Sequence, residues 1–271
     1  MQQKPMVPPH SARRWQIALL VVFILVPVAN YLPMLLDVSQ DAFTRGRETR
    51  IDAAGYAFSI WGLIFTGMIV FAALQLRNRD PAVHLVRAYR YLILAGLASI
   101  AFVPISLGTN YVWGAVDLLW HLAALLGAYF ALRRHVLAGG RPDFAWSYFA
   151  PSAYLGWVSA ATVISITLAL EQAGVETTAW RQGLFALALI VTLAGIGLYL
   201  VSAADYVYGL TVAWALIAIG VAQRDEVLLL IAAGAGAGLI LMAILAMLIN
   251  RRPLFYPSAQ APGPGGSNEA P

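Results

Sequence analysis

Asp117 and His121 stand four positions apart inside an apolar stretch, 111–132. If that stretch is a helix, the spacing places both side chains on one face, close enough to interact. At about 1.5 Å of rise per residue, His121 sits about 15 Å from the start of the stretch. Trp113 and Trp120 fall on or near the same face. An ionisable pair at that depth has three readings: an interhelical hydrogen bond that satisfies both groups, a ligand contact, or a proton relay. A metal site is not expected, because no second His lies deep in any apolar stretch.

A second set lies at 154–167, with Tyr154, Trp157, Ser159, Thr162, Ser165 and Thr167. Ser159, Thr162 and Ser165 recur every three residues on an otherwise apolar segment. Small hydroxylated residues let membrane helices pack closely. Hydroxyls beside aromatic rings also make a pocket wall that orients a ligand. Trp157 lies well inside its stretch, which favours the pocket. A third set is the run from Gly55 to Gly62, with Tyr56, Phe58 and Trp61. Aromatic residues at the end of an apolar stretch commonly form an interfacial belt. Gly234 and Gly238 form a G-x-x-x-G spacing that fits close helix packing or a homodimer.

Enzyme signatures are absent. The sequence has no P-loop, no G-x-G-x-x-G beside a strand, no H-E-x-x-H and no G-x-S-x-G. It has no cysteine, which excludes disulfides and thiolate chemistry. No catalytic residue and no cofactor is expected.

The elements that position these residues follow from composition. Of the 271 residues, 61% are hydrophobic and only 11% charged. That is too little polar surface to cover a water-soluble domain of this size. Apolar stretches run at 15–36, 57–76, 87–106, 111–132, 148–170, 183–202, 206–222 and 227–249. Most are near the roughly 20 residues needed to cross a hydrocarbon core of about 30 Å. They do not alternate as barrel strands do. The fold class is therefore all-α, a polytopic transmembrane helix bundle of about eight spans. The first stretch is too long for a signal-peptide core and is read as a retained span, with Pro27 and Pro33 kinking it and Asn30 in need of an internal partner. A mixed-charge loop follows at 37–56, either a lid or a solvated linker. The segment from 253 onward is rich in Pro, Gly and Ser and is expected to be disordered.

The net charge of +4 is a topology signal. Basic residues cluster at the ends of apolar stretches, so no nucleic-acid partner is expected; the partner is the lipid bilayer. With eight spans, twelve Lys and Arg lie on the side that holds both termini, against five on the other. The excess puts both termini in the cytoplasm, as in a multi-pass protein of an inner membrane.

The run Gly55-Tyr56-Ala57-Phe58-Ser59-Ile60-Trp61-Gly62-Leu63-Ile64-Phe65 resembles the second-helix signature of the TspO/MBR family of tryptophan-rich sensory proteins. The run from Tyr154 to Thr162 is similar to that family's fifth-helix signature. The resemblance covers about 15–170 and is nearest to the family's long branch, which adds helices after the usual five. Departures touch polar positions. Asp52, Ala53 and Ala54 stand where a proline is expected, Ser99 and Phe102 where the family has Asn and Trp, and Ser165 where it has Asn. The fifth-helix proline is displaced to Pro151.

Beside a cytoplasmic segment at 1–14, three further transmembrane helices at 171–252 and a tail at 253–271, read from charge, hydropathy and composition, the resemblance implies a TspO-like five-helix domain at 15–170. It also implies a pocket beneath the first loop for a hydrophobic small molecule of the porphyrin or sterol kind. Tyr56, Phe58, Trp61, Tyr154 and Trp157 would line or border it. Asp117, Trp120, His121, Ser159 and Thr162 complete the candidate ligand-binding set. The function expected is sensing or transport of that ligand. The alternatives are a proton-coupled transporter using Asp117 and His121, and a non-catalytic membrane assembly subunit.

Overall fold

A backbone inside a bilayer must satisfy every N–H and C=O internally, and a helix does so within one segment. The computed structural model describes residues 9–36, 51–108, 110–138, 145–175 and 179–250. Most of the first loop and the C-terminal tail lie outside the described residues, and so do the readings made of them. Among the described residues there are eight α-helices and no strand. They are α1 (Pro9–Leu35), α2 (Ile60–Gln75), α3 (Val83–Leu107), α4 (Tyr111–Leu137), α5 (Ala145–Gln172), α6 (Ala179–Ser202), α7 (Tyr206–Ala222) and α8 (Val227–Ile249). A 3-10 turn, Gly55–Ser59, leads into α2. Seven of the helices are long and apolar enough to cross a membrane; α7, of 17 residues, is shorter and equally apolar.

Several helices outrun their apolar stretches. α1 begins at Pro9 rather than near Trp15, and α4 continues through Arg133 and Arg134 to Leu137. Hydropathy marks where the chain meets hydrocarbon, whereas a helix ends where a cap takes over its free backbone groups. Asn110 starts α4 by accepting from the Trp113 backbone N–H at 3.2 Å. Asp205 starts α7 by accepting from that of Tyr208 at 3.0 Å.

The first five helices close into a ring. α1 packs on α2 and α3, α3 on α4, α4 on α5, and α5 returns to α2. The last three helices pack on one another, and α7 joins them to α5. α5 thus has neighbours on three sides, and every residue from Ala150 to Ala160 is buried. Close approach needs glycine at several crossings, Gly96 and Gly156 among them. A Cβ at Gly96 would stand 2.5 Å from Val22 Cγ1, between α3 and α1. One at Gly156 would stand 2.9 Å from Thr211 Cβ and 3.2 Å from the Tyr208 carbonyl oxygen, between α5 and α7.

Polar links hold the ring at the end where α1 begins. Gln16 Nε2 donates to the carbonyls of Gln75 and Asn78, each at 2.8 Å. The Tyr89 hydroxyl donates to Gln75 Oε1 at 2.8 Å, and Arg13 donates to the Leu76 carbonyl. Deeper in, Asn30 Nδ2 donates to the Val26 carbonyl at 2.9 Å and to Ser99 Oγ at 3.3 Å. The partner that Asn30 needs is thus supplied from its own helix and from α3.

Candidate functional site between α2, α4 and α5

The residues singled out in sequence meet where α2, α4 and α5 converge. α5 brings Tyr154 and Trp157 three residues apart, almost one helical turn, so both rings lean toward α2. Trp61 of α2 packs against both, with centroids 5.9 Å and 6.1 Å away and edge-on geometry. Phe65, one turn along α2, stacks on Trp61 at 5.0 Å. Phe58 reaches in from the 3-10 turn and meets Trp157 edge-on at 5.7 Å. From α1, Phe23 meets Tyr154 at 6.2 Å. Mixed edge and face contacts of this kind suit the ring quadrupole better than parallel faces would.

α4 contributes the polar side. His121 is buried, its ring edge-on to Tyr154 at 5.0 Å. Its Nε2 and the Tyr154 hydroxyl share a hydrogen bond of 2.7 Å. The same hydroxyl bonds Ser99 and lies within the field of Asp117. Asn30, Ser99, Tyr154 and His121 therefore form a run of polar contacts from α1 through α3 and α5 to α4. The His121 hydrogen bond goes to Tyr154 rather than to Asp117. Among the described residues, three buried atoms in this region have no hydrogen-bond partner: Asp117 Oδ2, His121 Nδ1 and Trp157 Nε1.

Four residues of the expected set lie elsewhere. Trp120 is 60% exposed on the outward face of α4, despite standing next to His121 in sequence. Ser159 faces α7: its hydroxyl donates to the Leu155 carbonyl and accepts from the Tyr208 hydroxyl at 3.0 Å. Thr162 faces α4 and donates to the carbonyls of Val158 at 2.7 Å and Leu118 at 3.4 Å. Tyr56 is 45% exposed and meets Trp214 of α7 edge-on at 5.3 Å.

Two contributors carry little sequence signal. Trp214 donates from Nε1 to the Ala57 carbonyl at 3.2 Å, and the Ala54 N–H donates to the Ala218 carbonyl at 3.0 Å. α7 thereby holds the 3-10 turn that presents Phe58. No motif marks Trp214. Asp205, buried beneath the α6–α7 turn, accepts from Ser152 Oγ of α5 at 2.8 Å. An Asp just ahead of an apolar helix is a cap signal, which makes Asp205 readable as a helix start.

No curated protein and no solved structure matches the chain. The sequence model described as TSPO-like protein matches residues 16–247, which takes in the ring and the three helices beyond it. The match, the eight-helix membrane architecture and the aromatic turn ahead of α2 agree, and the chain belongs to the TSPO-like protein family.

Proposed function

We propose that this chain is a multi-pass protein of the inner membrane that binds a hydrophobic aromatic small molecule, tetrapyrrole- or sterol-like in shape, within its helix bundle. The role is sensing or transport rather than turnover. The observation that carries this reading is the convergence of the Phe58, Trp61, Tyr154 and Trp157 rings with buried polar atoms that no group among the described residues satisfies. An unmet buried donor or acceptor costs about 1–3 kcal/mol. A site that keeps such atoms beside aromatic walls is suited to a flat ligand with a few polar groups.

Asp117 and His121 would supply polar contacts. Ser159 and Thr162 act by fixing α5 against α7 and α4. The excess of Lys and Arg on one side supports cytoplasmic termini. The open faces of Gly234 and Gly238 fit a homodimer.

The test is a titration of the purified protein in detergent with protoporphyrin IX, followed by tryptophan fluorescence. Saturable quenching is expected. Trp61→Phe and Trp157→Phe should each weaken it about fivefold, the effect of about 1 kcal/mol of lost ring contact. Absence of saturable quenching in a folded protein would sink the reading.

A further inference from the structure

The charge of the candidate site is one-sided. Asp117 is the formally charged residue among the side chains that meet there. The described Arg residues lie toward helix ends or in turns: Arg13, Arg14, Arg77, Arg79, Arg87, Arg90, Arg133, Arg134, Arg181 and Arg224. Along α4 itself, Arg133 is sixteen residues from Asp117, about 24 Å of helix. Asp117 Oδ2 is buried with no hydrogen-bond partner among the described residues. A carboxylate at this depth is costly unless a counter-charge compensates it. His121, its titratable neighbour one turn away, is engaged through Nε2 with Tyr154.

The walls carry the complementary property. The faces of Trp, Tyr and Phe rings are electron-rich and attract cations, tryptophan most strongly. Trp61 and Trp157 sit at right angles 6.1 Å apart, with Tyr154 edge-on to Trp61 and Phe58 edge-on to Trp157. A ligand that turned an anionic group toward Asp117 would meet no Lys or Arg of α4 nearer than Arg133, and like charges repel strongly out of water. A neutral ligand would leave the carboxylate uncompensated.

Building on the aromatic-site reading above, we infer that this site prefers a flat aromatic cation to a neutral ring system of the same shape, its delocalised positive charge attracted by the aromatic walls and by the Asp117 carboxylate. The free Trp157 N–H adds a preference for an acceptor atom at the edge of the ring system.

The test compares two probes of one shape, acridine at a pH where it is neutral and permanently charged N-methylacridinium. Each is titrated into the full chain in a non-ionic detergent and read by probe and tryptophan fluorescence. N-methylacridinium should bind saturably and at least about tenfold tighter than acridine, a difference of about 1.4 kcal/mol. Asp117→Asn should abolish most of that preference, and Asp117→Glu should keep it. Equal binding of the two probes, unchanged in Asp117→Asn, would overturn the cation and leave the aromatic site standing. Failure of both probes to bind, with the thermal transition of the protein intact, would overturn the cation and the aromatic site together. If Asp117→Asn does not fold, the wild-type affinity ratio decides the matter alone.

Discussion

Tyr154 holds the two halves of the candidate site together, because its ring belongs to the aromatic cluster and its hydroxyl to the polar run. Removing that hydroxyl leaves His121 Nε2 buried without its 2.7 Å partner. Tyr154→Phe should therefore cost about 1–3 kcal/mol in thermal or denaturant unfolding in detergent. His121→Leu with Tyr154→Phe should cost less than the two single changes added, since the orphaned nitrogen is gone. A neutral Tyr154→Phe would show that the bond contributes nothing. The spacing of Asp117 and His121 made one helix face legible in the sequence. That the histidine bonds Tyr154 was not legible, because it depends on the rotation of two helices 33 positions apart in the chain. Trp120 fails for a related reason. In water an amphipathic stripe tells inside from outside, but lipid accepts tryptophan as readily as a core does. The outward turn of Trp120 leaves no mark in hydropathy.

The short α7 does more than its length implies. Asp205 caps it, Tyr208 bonds α5, and Trp214 and the Ala218 carbonyl hold the 3-10 turn. The chain enters α7 through Ala204, whose φ of 62° lies in the left-handed region. Burial pushes the Asp205 carboxyl up to about 6, against the hydrogen bonds from Tyr208 and Ser152 and the charge of Arg133. An acid with a raised value binds its proton more tightly folded than unfolded. Its contribution to stability is then full below about pH 4 and is lost as pH rises through about 6. Asp205→Asn, which can still accept at the cap, should flatten this part of the profile. The check is the melting temperature of both proteins in steps from about pH 4.5 to about pH 7. Wild type should fall more steeply over that range, and parallel profiles would remove Asp205 as the cause. Helix count and approximate span positions were readable from the apolar stretches. What α7 touches was not, because its sequence is uniformly apolar and offers no preferred face.

Across the whole molecule, the open question is whether the last three helices are a separate module or part of the site's support. Ring closure and docking of α7 could not be read from sequence, since any apolar helix can neighbour any other in lipid. The decisive contact is at Gly156, beside Trp157 in α5. A side chain there would meet Thr211 and, at 3.2 Å, the Tyr208 carbonyl oxygen. A backbone oxygen cannot swing aside as a side chain can, so α7 itself must move. Overpacking of this kind costs about 1–3 kcal/mol. The same displacement would strain the Ser159–Tyr208 and Ser152–Asp205 bonds, and the two bonds that hold the aromatic turn. Gly156→Val should thus lower the melting temperature and weaken aromatic ligand binding, although position 156 adds no ring to the cluster. Gly238→Val is the control, because a Cβ there meets nothing within 4 Å. It should leave both readings unchanged in the monomer. If Gly156→Val loses stability but keeps its affinity, the last three helices dock on the ring without shaping the site. If both fall together, α7 is part of what positions the aromatic turn, and the site belongs to all eight helices.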